Sequence, residues 1–113
     1  MLSEAIDALA TQLKYAMPNV RVTRDPSNVI GPCVFIDYPL VRQTTLAGFT
    51  LEVPVYLVAA APGDIHASDW LLATTPDFLH AVSAQDAEPR PLTLGDTTHP
   101  AVNATAVLTV RNN

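Results

Sequence analysis

The chain has 113 residues, 49% hydrophobic and only 15% charged, with a formal net charge of −5. That composition describes one globular domain with a core of its own, and it excludes both a disordered chain and a nucleic-acid grip by a basic patch. The single cysteine, Cys33, excludes an intrachain disulfide, and no apolar run approaches the roughly 18 residues of a membrane-spanning helix. With no amino-terminal signal pattern, the expectation is a soluble protein made in the cytoplasm.

Residues 2–17 carry Leu2, Ile6, Leu9, Leu13 and Met17 at spacings of three and four, the stripe of an amphipathic helix. Ser3 suits its start, Glu4 and Asp7 suit the positive end of its dipole, and Pro18-Asn19 stops it. Residues 20–23 read as a short first strand and residues 24–32 as a turn-rich loop. Residues 33–38 read as a second strand, apolar on both faces as far as Asp37. Cys33 is expected to be a buried, inert thiol, and Asp37 a strand-end residue bonded to the backbone. Residues 39–48 read as a connection too long for a tight hairpin turn. It keeps Leu40, Val41 and Leu46, so it either folds back on the core or is held by a partner.

Residues 49–60 are the longest apolar run. Phe49, Leu51, Val53, Val55 and Leu57 alternate with Thr50, Glu52, Pro54 and Tyr56, a period of two that marks a strand with one buried face. Pro54 cannot donate a ladder hydrogen bond, so this strand is expected at a sheet edge or with a bulge at that point. A long apolar edge is a liability for a monomer and points to pairing with other subunits.

Ala61-Pro62-Gly63 ends the strand. Residues 64–84 then place Ile65, Trp70, Leu71, Phe78, Leu79 and Val82 on a helical face, with Trp70 and Phe78 expected to cover the sheet. Thr75-Pro76 fits the start of a second helix, so one kinked helix or two short ones suit the pattern. Residues 85–91 read as a polar linker, and residues 92–94 as a short strand before a Gly95-Asp96 turn. In the final strand, residues 101–111, Ala104, Ala106, Leu108 and Val110 alternate with Asn103, Thr105, Val107 and Thr109; Asn112-Asn113 is a bare end. The whole is an α+β fold: a mostly antiparallel or mixed sheet of four to five strands, with the N-terminal helix and the second helical segment packed on one face.

Reactive constellations are sparse. There is no glycine-rich phosphate loop, no Cys/His set with zinc spacing and no nucleophile elbow. His66 between Asp64 and Asp69 is the one conceivable carboxylate–imidazole cluster, weighed against a solvated helix start. Cys33 in an apolar strand is the wrong setting for a reactive thiolate. Neither catalysis, nor a metal, nor a cofactor is expected.

The run of features LSEAIDALATQLKYAM, VRVTRDP, CVFIDYP, GFTLEVPVYLVAAAPGD, DIHASDWLLATTPDFLHAV and ATAVLTVRN resembles, in order, length and style, the tail terminator proteins of long, non-contractile-tailed bacteriophages (minor tail protein U-like). The resemblance spans nearly the whole chain and rests on no signature motif. It implies a non-enzymatic virion protein that assembles in the bacterial host cytoplasm into a ring, typically of six copies, at the head–tail junction. Such a ring caps the completed tail tube, stops its polymerisation, meets the head-completion proteins and lets DNA pass through its channel without specific binding. It needs no cofactor and no membrane.

A cyclic ring needs a heterologous interface, one patch docking on a different patch of the next copy. The interface candidates are Leu40, Val41, Arg42, Leu46, Glu52 and Tyr56. The alternatives are a head–tail connector or head-closure protein of the phage neck, and a small α+β ligand-binding domain or enzyme using Asp64, His66 and Asp69.

Overall fold

The apolar stripe of the first segment becomes α1 (Leu2–Ala16), whose Ile6, Leu9 and Leu13 are buried against the sheet. The second helical segment is one continuous helix, α2 (Ile65–Val82), with Pro76 inside it. Pro76 forfeits the bond to the Leu72 carbonyl, but Leu72 sits on the solvent side, where a helix tolerates that loss best, and the Thr75 hydroxyl bonds the Leu71 carbonyl at 2.6 Å. Ser83 closes the helix at φ 61°, while its N–H bonds the His80 carbonyl and that of Ala84 bonds the Leu79 carbonyl. That paired closure is a Schellman cap with serine in the place glycine usually takes.

The strands are β1 (Arg21–Thr23), β2 (Cys33–Ile36), β3 (Leu40–Thr45), β4 (Gly48–Val58), β5 (Glu88–Pro89), β6 (Leu92–Leu94), β7 (Thr97–His99) and β8 (Ala101–Arg111). The main sheet has six strands in the order β1-β2-β4-β8-β5, with β3 also on β4. Only β1 and β2 are parallel, so the sheet is mixed. A separate hairpin, β6–β7, turns through Gly95 at φ +60°, as a two-residue hairpin loop requires. The structure is a computed structural model that describes residues 2–60 and 65–111. The break at Ala61-Pro62-Gly63, the residue Asp64 and the end at Asn112-Asn113 lie outside the described residues.

Two expectations need correction here. The long strand β4 is not an edge: it is the centre of the sheet, paired with β8 along all its length and with β2 and β3 in succession on the other side. Pro54 is accommodated because its missing donor points to the junction between β2 and β3. Asp37 donates its N–H to the Pro54 carbonyl at 3.0 Å, and no return bond is possible. Ile36 faces Val55 and Leu40 faces Glu52, so Asp37, Tyr38 and Pro39 stand opposite only Val53 and Pro54. The extra residue is a β-bulge, carried by the strand facing the proline. Secondly, residues 39–48 are not a loop. They form β3 and a tight Leu46-Ala47 turn, and together with β5 they raise the strand count above the expected four to five.

The sheet has two unlike faces. Val34, Ile36, Leu51, Val53, Val55, Leu57, Ala104 and Ala106 meet α1 and α2, with Phe78 fully buried among them. Each fully buried leucine here contributes roughly 1.5–3 kcal/mol. On the other face Cys33, Phe35, Tyr56, Val58 and Ala101 form a smaller cluster with Val29 and Leu92, so the β6–β7 hairpin covers only one end. The molecule is elongated, 48 × 28 × 21 Å.

Candidate interaction surface

The far end of the sheet, formed by β3 and the stretches of β4 and β8 beside it, is a three-stranded arm. Its tip is tightly built. The Ala47 N–H bonds the Thr45 hydroxyl at 3.2 Å, and a Cβ on Gly48 would stand 3.1 Å from that same hydroxyl, which favours glycine there. Every residue of β3 is exposed. Leu46 at the tip is 97% exposed.

Of the candidate interface residues, five gather on this arm. Leu40, 52% exposed, faces Glu52 across the ladder on the face away from the helices. Arg42 lies beside them and donates from Nε to Glu52 Oε2 at 2.9 Å. An ion pair this exposed is worth roughly 0–1 kcal/mol. Val41 faces Leu51 on the helix side. Tyr56 is the exception. It is buried, its ring centroid 6.3 Å from that of Phe35, and it belongs to the smaller core. Its alternation with Glu52 along β4 is right, but the β6–β7 hairpin covers that end of the face. Two residues missing from the candidates are bare: Tyr38 at the bulge, 84% exposed, and Val107 on β8, 65% exposed. Val107 had left a trace in the sequence as the one aliphatic residue between Thr105 and Thr109 on the polar side of that strand.

Among the described residues, the edges of the arm are open. The residues of β8 that bond β4 are the even-numbered ones, opposite Val55, Val53, Leu51 and Phe49. The backbone groups of Thr105, Val107 and Thr109 therefore point outward. Among the described residues, only β5 pairs with that side of β8, at Val102 and Asn103. On the opposite side of the arm, the N–H and C=O of Val41 and Gln43 point away from β4 in the same manner. The edges at the body differ. β1 has three residues with Arg21 and is followed by Arg24 and Pro26; β5 has two, Glu88 and Pro89, with Arg90 and Pro91 behind them. Short length, charge and proline all blunt an edge; the arm edges are longer and free of proline, β8 beyond Asn103 carrying one charge, Arg111 at its end, and β3 carrying Arg42, which is paired with Glu52.

Among the described residues, little else offers chemistry. Among the described residues no group of three His, Cys, Asp or Glu side chains could hold a metal ion. His66 and Asp69 are exposed on α2, and their proposed partner Asp64 lies outside the described residues. Cys33 is fully buried, and that burial pushes its thiol above the usual range, partly offset by Arg21. A cleft of about 450 Å³ opens between the start of α1 and the bulge, lined mainly by Leu2, Ile6, Tyr38 and Val41. Its charged residues are already engaged: Arg24 pairs with Asp7 at 2.6 Å, and Asp37 Oδ1 accepts from the Tyr38 N–H at 2.8 Å. Among the described residues lining it, no side-chain pair is set up for proton transfer.

The chain matches no protein-family model and no curated protein sequence. The fold and surface define its class: an α+β domain with an exposed β arm of mixed polarity that, among the described residues, is open along both edges.

Proposed function

We propose that the chain is a ring-forming tail terminator of a long, non-contractile-tailed phage, a structural protein with no catalytic task. The observation that supports this best is the arm itself. A strand exposed along its whole length, with a bare leucine at its tip, leaves an open edge and apolar side chains that a partner would cover. A subunit of a ring has a use for such a surface, because its heterologous contact needs a projecting patch to meet a different patch of the next copy.

In this reading copies of the chain, typically six, close at the head–tail junction. One rim of the ring meets the tail-tube protein and the other the head-completion proteins. The net charge of −5 on each copy disfavours sticking to phosphate, so DNA passes through the channel without specific binding. Leu40, Val41, Arg42, Leu46 and Glu52 belong to the contact surface; Tyr56 supports the core behind it.

The test is native mass spectrometry of the purified chain, alone and with its tail-tube protein. A discrete closed oligomer near six copies that binds the tube is the expected result. A closed ring that ignores the tube and binds a head-side partner would move the reading to a head–tail connector. A strict monomer in both samples would overturn it.

A further inference from the structure

We infer that copies of this chain join edge to edge, the outer edge of β8 in one copy pairing with the outer edge of β3 in the next. The occupant of each open edge is a second copy of this chain. Four observations lead there. The two longer, proline-free edges of the main sheet lie on the same arm, on its opposite sides, while the body edges are only three and two residues long, with Pro26 following β1 and Pro89 within β5. The outward groups are regularly spaced, Val41 and Gln43 on one edge and Thr105, Val107 and Thr109 on the other. The strands are comparable in reach, six residues in β3 against the part of β8 beyond Asn103. Both strands run antiparallel to β4 and therefore in the same sense as each other.

That last point fixes the geometry. Copies of a cyclic ring are related by rotation about one axis, so neighbouring arms point the same way and the new pair is parallel. The contact is heterologous: each copy offers β8 to one neighbour and β3 to the other. Closure leaves no free edge on any arm, which removes the aggregation liability that the isolated chain carries. The pairing itself needs only this chain. The size of the closed sheet rests on the tail-terminator reading: with six copies, three strands from each make a barrel in the class of the porins, wide enough for an aqueous channel.

Two proline variants test this. Proline is tolerated where an edge N–H faces outward, so Val107→Pro removes a donor only from the β8 edge and Gln43→Pro only from the β3 edge. Sedimentation of each variant alone is expected to give a monomer under conditions in which the unaltered chain assembles. A mixture of the two is expected to give a one-to-one dimer and nothing larger, because only one productive pair of edges remains. Val107→Lys, a change at an exposed side chain, repeats the β8 block without altering the backbone, and far-ultraviolet circular dichroism checks that each variant is folded.

Self-association of either folded proline variant alone, failure of the mixture to pair, or an unaltered chain that never self-associates would each overturn the inference. A ring that pairs in this way but fails to bind the tail tube leaves the edge pairing standing and sinks the tail-cap reading. Tube capping by chains whose edges do not pair does the reverse.

Discussion

The two ends of the β4–β8 pair are one continuous ladder in two environments. At the body end, Val55, Leu57 and Ala104 lie under the helices, and Tyr56 and Val58 lie under the β6–β7 hairpin, so both faces are dry. At the arm end, Leu51, Leu108 and Val110 still reach the main core, but Leu40 and Val107 on the other face are bare. Equal backbone pairing at the two ends carries unequal burial. Stability therefore resides in the body, and the outer face of the arm adds little to it.

The sharpest way to break this comparison is to truncate one residue in each region. Phe78→Ala empties a fully buried site and is expected to lower unfolding free energy by about 3–5 kcal/mol, read from urea denaturation. Leu40→Ala combined with Leu46→Ala is expected to stay within about 0.5 kcal/mol per site of the unaltered chain, yet to weaken ring or tail assembly. A stability loss in the arm pair that rivals Phe78→Ala would abolish the distinction; normal assembly by the pair would remove those side chains from the interface.

Amide hydrogen exchange sharpens the comparison residue by residue. In the isolated chain the outward amides of Val41, Gln43, Val107 and Thr109 should exchange rapidly, while their inward neighbours Arg42, Ala106 and Leu108 are slower. Assembly should slow the outward set selectively.

A smaller effect comes from Cys33. Its thiol is raised by burial, so the unfolded chain releases this proton before the folded one does. Its contribution to stability is complete below the ordinary thiol range and declines as pH rises through that range toward the folded value. A Cys33→Ser chain should lack this alkaline decline in urea titrations, and native Cys33 should resist alkylation until the body unfolds.

The smallest effect is expected at Asp25, an exposed carboxylate that caps Pro26–Asn28 and is held below its usual value by the Ser27 hydroxyl and N–H. Its contribution is present above the ordinary carboxylate range and fades as pH falls through the folded value. Asp25→Ala should remove that acid-side dependence and leave assembly unchanged.

Much of the body is legible from residue spacing, because burial there is imposed by elements close in sequence pattern. The stripe of Ile6, Leu9 and Leu13, the alternation in residues 49–57, and the inward set Ala104, Ala106, Leu108 and Val110 all describe surfaces that must leave water. Asp37, expected to bond the backbone, does so with the Tyr38 N–H. Five of the six interface candidates lie on one arm, Val41 on its helix-side face and Leu40, Arg42 and Glu52 on the other, because their exposure is local to β3 and the facing part of β4.

What spacing by itself could not determine was how the strands are ordered. Pro54 reads as a mark of an edge or of a bulge in its own strand when that strand is considered alone; the strand is central, and the irregularity at Asp37, Tyr38 and Pro39 lies on the facing strand, where no acceptor is left waiting for the absent N–H. Residues 39–48 read as a loop because a run that mixes Leu40, Val41 and Leu46 with polar residues shows no period of two; only the β4 ladder makes it β3. Tyr56 leaves the candidate surface because a hairpin more than thirty residues away folds over it. Hydrophobic period is a property of one segment, so the sequence determined which faces meet the helices, as the stripe of α1 and the odd-numbered residues of β4 show. Sheet order, open edges and covering hairpins are relations between distant segments, and only tertiary packing decided those.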